Sequence, residues 1–136
     1  MTSSIIHVVA ACLFDDQNRL LLVRKRNTHL FMMPGGKPEP GEDLLAALSR
    51  ELWEELGWQC TPSLLHSLGR FQAPAANEDN MTVVADVFWG RIDQKVQPQA
   101  EIEQLEHVSL NNMKDMPLAP LQHVLMPALL DACALS

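Results

Sequence analysis

Three glutamates within five residues, Glu51, Glu54 and Glu55, carry the strongest chemical signal in this 136-residue sequence. They lie in the segment Asp43 to Leu56, where Leu44, Leu45, Leu48 and Leu52 recur at helical spacing. At 100° per residue, Leu44, Leu48, Leu52 and Leu45 fall at roughly 0°, 40°, 80° and 100° around the helix axis. Glu55 falls at roughly 20° and Glu51 at roughly 340°, inside or beside that apolar face, with Glu54 farther round at about 280°. Burying carboxylates is costly unless they are paired or bind a metal, so this pattern demands a counter-charge. Oxygens from residues three and four apart can share a divalent cation, and carboxylates suit hard Mg²⁺ or Mn²⁺ better than zinc. The same glutamates could instead pair with Arg50, Lys37 and other basic residues, and the spacing alone accommodates both arrangements.

The elements around this helix set its context. Asp43 is a candidate N-cap and Gly57 stands at the C-terminal stop position. Upstream, Ile5 to Phe14 and Leu20 to Val23 read as two strands joined by the turn Asp15-Asp16-Gln17-Asn18. Then follow Arg24-Lys25-Arg26 and the segment Pro34 to Gly41, whose three Pro and three Gly predict an irregular, shaped loop. Downstream, Ser63 to Gln72, Met81 to Ile92 and Leu105 to Leu110 read as strands. Leu118 to Ala134 reads as a helix that Pro127 kinks or divides. Strands, helix, strands, helix predicts one α+β domain over residues 1–136, arranged as an α/β/α sandwich on a mixed sheet.

The stretch from Gly36 to Trp58 resembles a known family. Gly36, Glu42 six residues on, and Arg50-Glu51-Leu52-Trp53-Glu54-Glu55-Leu56-Gly57-Trp58 resemble the Nudix box, G-x5-E-x7-R-E-U-x-E-E-x-G-U, where U is aliphatic. All seven fixed positions match, which at ordinary residue frequencies has a chance probability on the order of one in 10⁸ to 10⁹. Trp58 is the one departure, an aromatic core residue in place of an aliphatic one. The resemblance implies Mg²⁺-dependent hydrolysis of a nucleoside diphosphate linked to another group X, with Mn²⁺ as a substitute. It implies metal-binding roles for Glu51, Glu54, Glu55 and the carbonyl of Gly35, with Glu54 and Glu55 catalytic, and bracing roles for Gly36, Glu42, Arg50 and Gly57. A further loop glutamate acts in many members as base or extra ligand. Glu101, six residues before His107, has the spacing of MutT-like members; Glu103 and Glu106 compete, and Glu78 is an outside candidate.

A diphosphate also needs cations outside the metal shell. Arg24, Lys25, Arg26 and Lys37 flank the loop that leads into the helix and are candidate phosphate contacts; solvated surface charge is the alternative. Within the family, the short chain looks most like MutT-type nucleoside triphosphate pyrophosphohydrolases. Pro74, sixteen residues past the box, is a weaker pointer to ADP-ribose or a nucleotide sugar. A nucleotide sensor without turnover is the rival from another class, although such sensors usually lack a box glutamate. MutT proteins read oxidised guanine partly through an Asn in Pro-Pro-Ala-Asn; here the stretch is Pro117-Leu118-Ala119-Pro120, so little preference for that base is expected.

Composition narrows the partners. Ten Lys plus Arg against 17 Asp plus Glu give a net charge of −7, which disfavours a nucleic-acid polymer. The run Ile5 to Phe14 is too short to span a bilayer and no basic residue precedes it, so neither a membrane nor an export signal is expected. Cys12, Cys60 and Cys133 are odd in number and lack a C-x-x-C pair, the pattern of buried thiols in a cytoplasmic protein. His7, His29, His66, His107 and His123 form no metal-spaced motif. The expected state is a monomer or homodimer acting on a small nucleotide.

Overall fold

The computed structural model describes residues 4–75 and 79–135. Six strands and two helices follow in the order β1 (Ser4–Phe14), β2 (Arg19–Lys25), β3 (Gly35–Gly36), α1 (Leu44–Leu56), β4 (His66–Pro74), β5 (Met81–Arg91), β6 (Ile102–Ser109) and α2 (Pro120–Leu135). They form one mixed sheet of order β4-β5-β1-β2-β6, with β3 paired to β1. The β1–β5 pairing is parallel and in register from Ser4 opposite Met81 to Phe14 opposite Arg91, whereas the other pairings are antiparallel.

Alternation along the strands separates two cores. Val9, Ala11, Leu13, Leu21 and Val23 pack against Ala47, Leu48, Leu52 and Leu56 of α1. Ala10, Cys12, Phe14, Leu20, Leu22, Ala85 and Val87 pack against Leu125 and Leu129 of α2 on the opposite face. Because β1 and β2 are covered on both faces, they read as continuous apolar runs. Removing Leu48 or Leu52 from water stabilises this α/β/α arrangement by about 2 kcal/mol each. At the start of α1, the Asp43 carboxylate accepts the Ala46 amide at 3.3 Å. At its end, Gly57 adopts φ 65° and donates its amide to the Trp53 carbonyl.

Four local expectations are corrected. Gly35–Gly36 is not purely irregular: it forms a two-residue strand opposite Ala10 and Val9. Residues 62–64 form a 3-10 turn ahead of β4, in keeping with Pro62 at its first position. The last strand begins at Ile102, three residues earlier than the apolar pattern suggested, because Gln104 pairs with Arg24 and Ile102 with Lys25. Pro127 does not divide α2, which runs through it. Its ring is exposed, so the missing N–H and the clash with the preceding turn fall on the solvent side rather than in the core. No described helix is long and apolar enough to cross a membrane.

Candidate active site

Two adjacent glycines let the helix glutamates meet the sheet. Gly35 has φ 152° and presses on β1, where a Cβ would collide with the Val9 carbonyl. Gly36 lies against α1, and a Cβ there would occupy the space of the Glu51 carboxyl group. The Gly35 amide donates to Glu55 Oε1 at 2.9 Å, tying loop to helix.

Glu55 is 1% exposed, and its second oxygen, Oε2, has no hydrogen-bond partner. Burial raises its pKa to about 8; the Gly35 amide and Lys25 pull the other way, and Glu101 and Glu51 add to the rise. Glu51 is also raised, chiefly by burial, against a 3.0 Å hydrogen bond from Arg50 Nη1. Glu54 is about half exposed, 3.5 Å from the same Nη1.

Arg50 is the hub of the bracing. Its Nε and Nη2 donate to the two oxygens of Glu42 at 3.0 and 2.9 Å, and Nη2 also reaches the Lys37 carbonyl. Glu42 in turn accepts the Glu39 amide. The Arg50 hydrogen bonds, helped by that amide, hold the Glu42 carboxyl down at about 2. Helix and loop are thereby joined by a planar two-point contact that Lys in place of Arg could not reproduce.

Glu101 reaches the same place from the approach to β6. The Gln99 amide donates to the Glu55 carbonyl, and Arg26 clamps the turn, its amide on the Glu101 carbonyl at 2.8 Å and its Nη2 on the Ala100 carbonyl at 3.0 Å. Ala100 takes a positive φ of 54° within this turn. Glu103 lies 3.6 Å from Arg24, and Glu106 accepts from Gln104, so both are turned to other partners. Glu78 lies outside the described residues.

Part of this cluster borders a cavity of about 380 Å³, of a size that takes a small molecule, which Glu54, Glu55 and Arg50 do not line. Lys25, Lys37, Glu51 and Glu101 line it together with Gly35 and Gly36, and Pro74, Val83, Ala119 and Leu121 supply apolar wall. Arg24 and Arg26 do not line it: Arg24 bonds Gln104 and the Thr28 carbonyl, and Arg26 holds the Glu101 turn. Strand alternation separates Arg24 from Lys25. The clamp role of Arg26 carries no sequence signal, since it depends on a carbonyl seventy-four residues away.

Among the described residues no three acidic, His or Cys groups converge as a ready-made metal cage. Arg50 bonds Glu51 at 3.0 Å and lies 3.5 Å from Glu54, while Glu55 keeps an unpartnered buried oxygen. An all-oxygen donor set with one oxygen lacking any proton donor fits a hard divalent cation. Gly57, half-buried, ends α1 in the left-handed conformation.

Known proteins resemble this chain in sequence and in fold. Residues 5–129 match the family model described as the NUDIX domain. Human 8-oxo-dGDP phosphatase NUDT18 is 32% identical over 71 residues, 50% of this chain and 22% of that protein. Isopentenyl-diphosphate Delta-isomerase of Mycolicibacterium vanbaalenii is 37% identical over 116 residues, 78% of this chain and 62% of the isomerase. The chain thus spans less than two thirds of the length of the curated relatives it matches. Among solved structures, the MutT protein of Methanosarcina mazei aligns with a TM-score of 0.73 at 26% identity, covering 87% of each chain. The Escherichia coli ORF135 protein aligns with a TM-score of 0.75 at 27% identity, covering 97% of this chain and 93% of the other.

Proposed function

The chain belongs to the NUDIX family, and on that premise we propose that it hydrolyses a phosphoanhydride bond in a nucleoside diphosphate linked to X. The best-supported substrate class is a nucleoside triphosphate, cleaved to the monophosphate and pyrophosphate. The observation that carries this reading is Glu55, a buried box carboxylate fixed through one oxygen by the Gly35 amide with its other oxygen unpartnered. Its neighbours Glu51 and Glu101 line a cavity large enough for part of a nucleotide.

In this proposal Glu51, Glu54, Glu55 and the Gly35 carbonyl hold Mg²⁺, or Mn²⁺ in its place. Such a cation would neutralise diphosphate charge and lower the pKa of the attacking water. Lys25 and Lys37, the two cations of the cavity wall, hold phosphate oxygens and orient the anhydride. Glu101 accepts the proton of the water at its carboxylate, and Arg26 positions that carboxylate by fixing the turn beneath it. Arg50, locked to Glu42, sets the distance between loop and helix.

Pro74 in the cavity wall supports a second substrate reading, ADP-ribose or a nucleotide sugar. A panel of nucleoside triphosphates, ADP-ribose, nucleotide sugars and dinucleoside polyphosphates, incubated with Mg²⁺ and followed by product identification, tests both. Nucleoside monophosphate plus pyrophosphate supports the first. Tight binding without turnover of any member would make the domain a sensor. Conversion of a diphosphate ester with every phosphorus–oxygen bond intact would place it with isomerases instead.

A further inference from the structure

A second buried side chain with an unpartnered oxygen lies remote in sequence from the box, and this one lines the cavity. Gln122, in the first turn of α2, is 1% exposed and lines the cavity wall, yet its Oε1 has no partner. Its Nε2 makes one long contact, 3.7 Å to the Met126 sulfur a turn further on. An unpaired buried amide oxygen is destabilising, and the other fully buried side chains of this helix, Leu125 and Leu129, avoid that cost. Leu or Met at position 122 would avoid it too.

The surroundings limit what could satisfy this oxygen. Among the cavity-lining residues the other polar side chains are Lys25, Lys37, Glu51 and Glu101, all charged. None of these four makes a hydrogen bond to Gln122 Oε1. The remaining wall, including Val8, Val83, Ala119 and Leu121, is apolar and offers no side-chain hydrogen-bond donor.

We propose that Gln122 selects the nucleobase, its Oε1 accepting a hydrogen bond from an exocyclic amine of an adenine-like or cytosine-like base. The inference rests on the nucleotide reading above and adds the class of base to it. A lactam edge, as in uracil, would place a carbonyl beside its ring N–H, and the Gln122 Nε2 that could pair that carbonyl is turned to the Met126 sulfur. An amine beside a ring nitrogen brings the donor with no carbonyl next to it.

The test compares ATP with purine riboside triphosphate, and CTP with the pyrimidine analogue that lacks the 4-amino group, on the wild type, Gln122→Leu and Gln122→Met. Values of kcat/KM are measured with Mg²⁺, dissociation constants by calorimetry, and Tm for each protein. The wild type should favour the amine-bearing member of at least one pair by about tenfold or more, the value of a hydrogen bond to an otherwise unpaired buried group. Both variants should bring that ratio within about threefold, chiefly by slowing the amine-bearing substrate, with Tm equal to or above that of the wild type. Absence of discrimination in both pairs, or a ratio that survives both substitutions, overturns the assignment. If neither triphosphate is hydrolysed, the proposed hydrolysis fails separately, and the ratios of dissociation constants then decide the role of Gln122 by the same thresholds; binding of none of the four overturns it as well.

Discussion

Replacing Gly36 by alanine should uncouple folding from activity. The backbone there needs no positive φ, so a methyl group adds no conformational strain. That methyl would stand 2.5 Å from both oxygens of Glu51, against an ordinary contact of about 3.4 Å. The carboxylate, whose carbon lies closer still to that methyl, must therefore retreat by about 1 Å, and it can, because it is the far end of a rotatable side chain. Stability should fall by no more than about 1 kcal/mol, the scale of the Arg50 hydrogen bond it strains. A displacement near 1 Å in a group that positions the reaction costs on the order of 10² in rate. The measurement pairs thermal unfolding with kcat/KM on the best substrate of the panel. Gly35→Ala is the control: its methyl would meet the Val9 carbonyl of β1, which cannot rotate away, so that variant should lose several kcal/mol of stability. Activity of Gly36→Ala within threefold of the wild type would refute the reasoning, as would a loss of stability as large as that of Gly35→Ala.

Three other perturbations have simpler readouts. Glu101→Gln should reduce kcat more than Glu103→Gln or Glu106→Gln; the opposite ranking would transfer the role to the neighbour that hurts most. Acid should unfold the metal-free protein as pH falls from about 4.5 toward 2. The carboxyl of Glu42 is depressed from 4.5 to about 2, so the stability it contributes is present above its unfolded value and lost below it. Glu42→Gln should accordingly flatten the dependence of Tm on pH in that window, and an unchanged slope would exclude the Arg50 pair as its source. 8-oxo-dGTP should be preferred over dGTP by less than about tenfold in kcat/KM, because position 120, the place of the Asn in the Pro-Pro-Ala-Asn stretch, is Pro and carries no amide. A thousandfold preference would assign the reading of that base to another residue.

Much of the geometry of the candidate site was legible because it is local. The box glutamates, the Arg50 brace and the Asp43 and Gly57 caps lie within a single helix and its approach, where spacing in sequence is spacing in space. The glycine pair was visible as a composition but not as a strand, since pairing with β1 depends on partners twenty-five and twenty-seven residues away. Lys25 could have been set apart from Arg24 and Arg26 by strand alternation, whereas the Arg26 clamp on Ala100 could not. Gln122 reads in sequence as an ordinary helix residue. Only the packing of α2 on the sheet shows that it is buried and lines the cavity. The continuity of α2 through Pro127 likewise depends on which side of the helix meets water.

The central claim is that a buried box carboxylate enables cleavage of a phosphoanhydride. Phosphorus NMR of nucleoside triphosphates incubated with Mg²⁺ and either wild type or Glu55→Gln tests it directly. The substitution keeps the side-chain shape and removes a charge that burial disfavours, so the variant should fold at least as stably as the wild type. The account predicts monophosphate and pyrophosphate signals from the wild type and a rate lower by several orders of magnitude for the folded variant. Comparable pyrophosphate release by Glu55→Gln, or triphosphate signals unchanged by the wild type across the panel, would contradict it.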